Sequence, residues 1–114
     1  MIDALKGLLP WNARRLEARL DGVAGFTGGG SFRYALSAGG SANYETDLRG
    51  VAGLGCELFV EGEYVSLLDC KDGRVCAKFD SRLGDPAIRL SSGALVEIRQ
   101  GGHSILQGRL TPAR

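Results

Sequence analysis

Residues 31–49 read SFRYALSAGGSANYETDLR, and this stretch decides the fold class. On each side of its two glycines, aromatic, apolar or β-branched residues alternate with charged or small ones. Successive side chains of a β-strand point to opposite faces of the sheet, so this alternation predicts two strands that each bury one face. The buried positions are Phe32, Tyr34 and Leu36 in the first strand and Tyr44, Thr46 and Leu48 in the second.

The loop between these strands is predicted to have an odd number of residues. Both buried faces reach one core only if even-numbered residues pair with even-numbered ones, whereas a two-residue turn would put one set in solvent. Glycine at 39 and 40, followed by Ser41, provides the positive φ angles that such a loop needs. We therefore expect an antiparallel hairpin at the centre of this stretch.

A short repeat extends the strand pattern towards the N-terminus. The sequence LDGVAGF at 20–26 returns as LRGVAGL at 48–54. Residues 14–20 alone fit a helix by composition and a strand by the alternation of apolar with charged residues. Because the second copy follows a clear strand, we predict that the first copy also ends a strand.

The repeat makes two structural predictions. Leu20 and Leu48 should both be buried near strand ends, because an apolar residue that closes a strand must still reach the core. Gly22 and Gly50 should occupy equivalent backbone positions, where glycine permits the chain to change direction.

The second half of the chain predicts further hairpins. Turn sequences stand at Glu61-Gly62, Asp72-Gly73 and Gly101-Gly102. Phe59, Leu67 and Leu68 break the alternation around the first of these turns, so we expect that hairpin to be apolar on both faces and central in the sheet. The strand segments around these turns are 56–60, 64–70, 75–79, 88–90, 94–99 and 104–110.

Eight or nine short strands at regular spacing predict an all-β fold, either an antiparallel sandwich or a partly closed barrel. Residues 14–114 are expected to form one β-domain. Residues 1–13 form a separate apolar segment, for which a short helix over 2–9 and a frayed terminus are both open. Its apolar residues stand outside the strand pattern and are a possible interface: Ile2, Leu5, Leu8, Leu9 and Trp11.

Composition narrows the function classes. Fourteen basic and thirteen acidic residues leave a net charge of +1, so no basic footprint for nucleic acid is visible. No apolar run approaches the ~20 residues of a membrane-spanning helix. Three cysteines, an odd count, lean towards a reducing compartment without deciding it.

Residues that could carry chemistry are few and scattered. His103 is the only histidine and follows a predicted hairpin tip, so we interpret it as part of a solvated turn. Residues 27–31 (TGGGS) lack the Gly-Lys-Ser/Thr of a phosphate-binding loop and are interpreted as a flexible turn. No catalytic, cofactor-binding or metal-binding residue is assigned, and no cofactor is expected.

Cys56, Cys70 and Cys76 have no short metal-binding spacing. Buried free thiols are the favoured interpretation, and we expect none of the three to react quickly with a thiol reagent. A disulfide between Cys70 and Cys76 and a zinc site with His103 are the alternatives.

Residues 16–54 carry a family resemblance. The run LEARLDG, followed by GGGSFRYALSAGGSANYETDLRGVAGL, resembles the opening of small bacterial β-domains related to the CHRD type. The resemblance implies a β-sandwich and a non-enzymatic role, and it is compatible with one in the cell envelope. The H-x-H segment of that family is absent here, where Cys56–Val60 takes its place, so the resemblance implies no metal role for this chain.

Two functions from different classes follow. The first is a non-catalytic binding or assembly module that contacts a protein partner or a second copy through its sheet edges or its N-terminal apolar segment. The second is a small-ligand carrier or an enzyme that uses a barrel interior, since an eight-stranded barrel can hold one small ligand. A cavity inside the barrel would distinguish them.

Overall fold

The computed structural model describes residues 14–85 and 87–113, which form an all-β domain with a single 3₁₀ turn at Ser81–Leu83. The predicted N-terminal helix and the possible interface from Ile2 to Trp11 lie outside the described residues. The strands are β1 (Arg14–Gly22), β2 (Gly29–Leu36), β3 (Ala42–Arg49), β4 (Gly55–Val60), β5 (Glu63–Asp69), β6 (Arg74–Asp80), β7 (Leu95–Gln100), β8 (His103–Arg109) and β9 (Thr111–Pro112).

The strands belong to one antiparallel sheet in the order β5-β4-β7-β8-β1-β2-β3-β6, and the short β9 pairs with β1. The two terminal strands, β5 and β6, are consecutive in the chain and are joined by a tight turn, so the sheet curls into a nearly closed barrel. The partly closed barrel is thus the form that the predicted all-β fold takes. Its open side lies between β5 and β6.

The β2–β3 hairpin confirms the predicted register. Tyr34 pairs with Tyr44, and Phe32 pairs with Thr46, so even-numbered residues oppose even-numbered ones. The loop spans the five residues 37–41, an odd number as expected. The rings of Phe32 and Tyr44 are 5.7 Å apart between centroids and pack in the interior.

The prediction from the repeat is confirmed for its two leucines and is wrong for its two glycines. Residues 14–20 lie in β1, and Leu20 and Leu48 are 1% and 0% exposed. Gly22 is still paired with Leu106 inside β1, whereas Gly50 follows the end of β3 with a φ of +75°. The two copies therefore leave the sheet differently, because only the first copy continues into a pairing with β8.

Gly30 links the two leucines. It pairs with Leu20 on one side and with Leu48 on the other. A Cβ at this position would overlap the backbone carbonyl of Asp47, so only glycine fits. The interpretation of residues 27–31 as a flexible turn is therefore wrong for residues 29–31, which are part of β2.

The barrel interior is filled with side chains. Inward residues from every long strand contribute to one core, and the central ones are completely buried. Close packing of this kind excludes solvent from the core. The residues with no exposed surface include Phe32, Leu58, Val96, Ile98 and Leu106.

The hairpin of β4 and β5 has the expected turn and an unexpected place in the sheet. Glu61 and Gly62 both have positive φ, as a two-residue hairpin turn requires. β4 pairs with β5 and β7 and is an inner strand, but in the part of the chain that the structure describes β5 pairs with β4 alone. The prediction that the whole hairpin is central is therefore wrong for β5, which is a terminal strand.

The predicted strand at 88–90 is also wrong. This segment runs without regular structure across the end of the barrel. The Tyr34 hydroxyl donates to the carbonyl of Ile88 at 2.8 Å and accepts from the amide of Leu90 at 3.3 Å. A buried side chain thus satisfies the backbone groups that a neighbouring strand would otherwise pair.

Candidate functional site

The opening between β5 and β6, called the open seam from here on, is the first part of the candidate site. The chain turns at Asp72-Gly73, where Lys71 and Arg74 form one bridge. Among the described residues no ladder joins β5 to β6 beyond that bridge. Each strand therefore presents a row of unpaired backbone N–H and C=O groups, which is a template for pairing with another chain.

The outer face of β5 is apolar and exposed. Tyr64 is 57% exposed and Leu67 is 61% exposed. The Tyr64 ring packs edge-on against Phe59 of β4, with centroids 5.8 Å apart. These three residues, called the β5 patch, form an apolar surface directly beside the unpaired backbone edge. Apolar side chains beside a free edge are typical of sites that add a strand.

A partly buried ion pair on the neighbouring strand β7 supports the β5 patch. The Arg99 guanidinium lies 4.0 Å from the centroid of the Phe59 ring, which is cation–π distance. The same guanidinium donates to the Glu97 carboxylate at 2.8 Å, and Glu97 is only 9% exposed. The arginine neutralises the Glu97 carboxylate and covers one face of the Phe59 ring. These two contacts hold the Phe59 ring of the β5 patch in position.

A β-bulge shapes the start of β5. Leu58 pairs with Ser66, whereas the next residue, Phe59, pairs with Tyr64, so Val65 is an extra residue on β5. A bulge bends its strand and occurs often at sheet edges and beside functional sites. Here it puts Tyr64 and Leu67 on the outer face while Val65 faces a cleft.

This cleft has a volume of about 610 Å³ and lies between the β4–β5 turn and the segment 88–94. Its walls combine the apolar side chains of Val65, Ile88 and Leu90 with the acidic Glu61 and Glu63. Clefts of roughly 300–1,000 Å³ accommodate small molecules or single large side chains. The lining also contains Arg89, so the charged side chains leave the cleft with a net charge of −1, which favours a basic group on whatever enters.

The start of β1 is fixed to the same cleft wall. The Arg14 guanidinium donates to the Leu90 carbonyl at 3.2 Å. The Arg14 side chain thus connects β1 to the segment that lines the cleft.

The inner side of the open seam is more polar than the rest of the core. The Tyr44 ring stacks on Phe79 of β6, with centroids 4.7 Å apart. Burial raises the pKa of Tyr44 above its ordinary value, an effect that the nearby Ser66 hydroxyl opposes and the charge of Asp85 reinforces. The buried hydroxyl of Thr46 has no hydrogen-bond partner within residues 14–85 and 87–113, and that of Ser66 lies near Tyr44 without a hydrogen bond of normal geometry.

The β6 side of the seam carries charged side chains, and polar contacts hold the turn that follows β6. Arg74, Cys76 and Lys78 are exposed on its outer face. Arg82 binds Asp80 at 2.8 Å and holds the pKa of that carboxyl below its ordinary value, and the Asp80 amide donates to Asp85 at 2.8 Å. These acidic residues thus fix the turn after β6.

The cysteines are arranged differently from either predicted alternative. The sulfurs of Cys56 and Cys70 are 3.9 Å apart and both residues are buried, while Cys76 is exposed on β6. The expectation of three buried thiols is therefore wrong for Cys76, whose side chain points out of the barrel. Burial raises the pKa of the Cys56 thiol to about 12, with a further contribution from Cys70.

The described residues contain no group of three or more His, Cys, Asp or Glu side chains that could hold a metal ion. His103 is exposed at the start of β8, opposite Gln100, in agreement with a solvated turn.

Sequence reasoning missed the β5 patch. Its signal was present at Leu67-Leu68, where two apolar residues in succession break the alternation. We interpreted that break as burial on both faces, although an exposed apolar residue on a terminal strand gives the same pattern.

No protein-family model matched the chain, and the search of curated proteins found no significant similarity. Within the part of the chain that the structure describes, no helix has the length and apolar character needed to cross a membrane.

Proposed function

We propose that this domain is a non-catalytic binding module that adds an extended segment of a partner protein to the free edge of β5. One observation carries the proposal: within residues 14–85 and 87–113, β5 ends the sheet with an unpaired backbone edge and an exposed apolar outer face. In such strand addition the main-chain hydrogen bonds provide affinity, and alternate side chains provide specificity.

Charge argues for a foreign partner over a second copy. If two β5 strands paired antiparallel over their full length, Glu63 of one copy would oppose Asp69 of the other at both ends. Like charges directly opposite each other destabilise a pair of strands. A partner segment with an apolar centre and basic residues at both ends would instead be attracted to the same two carboxylates.

The cleft beside the bulge provides side-chain selection. A strand on the β5 edge runs past Val65, whose side chain forms part of the cleft wall. An apolar side chain of the partner can enter between Val65 and Leu90, and a basic tip can reach Glu61 or Glu63. Lysine and arginine combine an apolar stem with a charged end, as this lining requires.

The alternative function, a ligand carrier or enzyme built on the barrel interior, has no comparable support. The inward side chains of Leu58, Ile98 and Leu106 are fully buried and pack against one another. The site that the geometry favours is therefore the edge of the barrel.

A synthetic peptide tests the proposal directly. The probe is acetyl-Lys-Val-Thr-Val-Thr-Val-Lys-amide, which puts a lysine opposite each end of β5. Its control is the same peptide with N-methyl groups on alternate residues, which removes hydrogen-bond donors without changing the side chains. With the full chain labelled by ¹⁵N, the probe should shift the amide resonances of Glu63–Asp69 in a saturable way, and the control should not.

Three results would contradict the proposal. The first is the absence of saturable shifts, and the second is shifts centred on β6. The third concerns residues 1–11, which precede β1 in the sequence. If their removal alone changes the β5 amides as the probe does, the chain's own N-terminal segment occupies the edge.

A further inference from the structure

We propose that Cys56 and Cys70 are a disulfide-forming pair, an oxidation site that accepts a low-molecular-weight disulfide such as glutathione disulfide as its oxidant. Cys56 lies near the start of β4, and Cys70 follows the last residue of β5. The reaction would join β4 and β5 covalently near the turn that links β5 to β6. This inference does not rest on the proposed function.

The backbone already holds the two residues in position. Cys56 pairs with Leu68, so Cys70 is its diagonal neighbour two residues further along. The Cys70 amide donates to the Leu54 carbonyl at 2.9 Å, which continues the pairing beyond the end of β5. The sulfurs are already 3.9 Å apart, and they reach the ~2.05 Å of a disulfide by rotation of both side chains together with a shift of the end of β5, because diagonal neighbours on paired strands are roughly 7–8 Å apart.

Cys76 does not compete for either sulfur. Its side chain is on the outer face of β6, opposite Asp47 of β3, whereas Cys56 and Cys70 are in the interior. The barrel wall therefore separates Cys76 from the pair. This excludes the Cys70–Cys76 disulfide that the sequence left open.

The chemistry is a two-step thiol–disulfide exchange. The Cys70 thiolate attacks one sulfur of glutathione disulfide, forms a mixed disulfide and releases one glutathione thiolate. The Cys56 thiolate then attacks the Cys70 sulfur and releases the second glutathione. The two cysteines together lose two electrons and two protons, and one glutathione disulfide is reduced to two glutathione molecules.

Burial makes this exchange slow and the product stable. Cys56 is 2% exposed and Cys70 is 7% exposed, so the oxidant reaches them only when the end of β5 opens. Terminal strands open more readily than inner ones. We assign the first attack to Cys70 because it is the more exposed residue and belongs to the terminal strand.

The experiment uses the full chain with the exposed thiol removed, C76S. After incubation with glutathione disulfide, mass spectrometry should find that the protein has lost two hydrogen atoms, and a peptide map should join Cys56 to Cys70. The double variant C56S/C76S is the control and should stop at a mixed disulfide. Cross-linking should also raise Tm by roughly 10 °C, because the disulfide closes a loop of about 15 residues.

Two results would overturn the inference. One is that C76S keeps both thiols even at a denaturant concentration just below its unfolding transition, where the end of β5 opens. The other is that the wild-type chain, oxidised in the same way, forms a disulfide between Cys70 and Cys76 or between two molecules. Both readouts are independent of peptide binding, so they fail or succeed separately from the proposed function.

Discussion

The two strands that border the open seam differ in what they expose. The outer face of β6 carries Arg74 and Lys78, and Arg74 lies 3.5 Å from Asp47 of the neighbouring strand. The outer face of β5 carries Tyr64 and Leu67, each more than half exposed. Charged residues on an edge strand, lysine above all, discourage pairing with other chains. One edge is thus protected by charge, and the other is open to a partner.

This difference shows that the two free edges of an incomplete barrel can differ in how readily they pair with another chain. A protein that had to avoid association would protect both edges in the same way. Here the unprotected edge also has the bulge, the apolar cleft and the arginine-supported Phe59. The bulge and the exposed apolar face occur together on β5, whereas the cleft beside β6 is lined by the charged Lys78, Asp80 and Arg82.

The largest effect on stability is expected in β2, which belongs to the closed wall of the barrel and not to the open seam. A Cβ at Gly30 would overlap the Asp47 carbonyl, whereas a Cβ at the adjacent Gly29 meets its nearest atom at 3.4 Å. We expect Gly30→Ala to lower the free energy of unfolding by about 3 kcal/mol or more, since backbone must move. Gly29→Ala, its matched control, should change it by less than about 1 kcal/mol.

Urea unfolding monitored by fluorescence measures both variants. Equal stabilities for the two would show that β2 adapts to a side chain at Gly30 and that this position does not require glycine.

The next effect concerns binding. Leu67→Lys places on β5 the kind of charge that β6 already carries, and Leu83→Lys changes an equally apolar residue that is 82% exposed beyond β6. We expect Leu67→Lys to weaken binding of the lysine-ended peptide by roughly 10- to 100-fold, from lost apolar contact and charge repulsion. Leu83→Lys should leave the Kd unchanged. Equal losses in both variants, measured by the same titration, would remove the distinction between the two edges.

The sequence predicts the closed part of the barrel well. Alternation at Phe32, Tyr34 and Tyr44 specifies which residues face inward, and the odd loop specifies their register. Both depend on local periodicity, which the chain carries within a few residues. The buried Leu20 and Leu48 follow from the same pattern.

The local periodicity of the sequence does not predict which strands are neighbours in the sheet. A period of two assigns a face to each residue but does not say how many strands flank it, so Leu67 fits an inner strand and a terminal one equally well. The contact of Cys56 with Cys70 also depends on the pairing of β4 with β5. The candidate site is made of these non-local features, and for that reason the sequence did not predict it.

A smaller effect contrasts the inner and outer thiols. The pKa of Cys56 is about 12 in the folded protein against an ordinary value of 9.0, so the unfolded chain loses this proton at lower pH than the folded one. The stabilising contribution is therefore complete below about pH 9 and declines as the pH rises towards 12. Tyr44, whose pKa is also raised, acts in the same direction at higher pH.

We expect the free energy of unfolding to fall by about 1 kcal/mol per pH unit above pH 9. Cys56→Ala should flatten this decline, and Cys76→Ala, which changes the exposed thiol of β6, should not. Denaturant titrations at several alkaline pH values give the slopes. Parallel curves for all three proteins would mean that the buried thiol does not control the alkaline limit.

The smallest effect is expected at the inner side of the seam itself. The Ser66 hydroxyl is buried near Tyr44 but makes no hydrogen bond of normal geometry among the described residues, and removing such a group ends its desolvation cost. Ser66→Ala should therefore leave the free energy of unfolding unchanged or raise it by up to about 1 kcal/mol. If an added strand brings a backbone donor or acceptor to this hydroxyl, the same substitution should weaken peptide binding by a few-fold. A clear loss of stability with unchanged binding, from unfolding curves and the peptide titration together, would mean that Ser66 is already satisfied inside the barrel and that the seam is closed to a partner at this point.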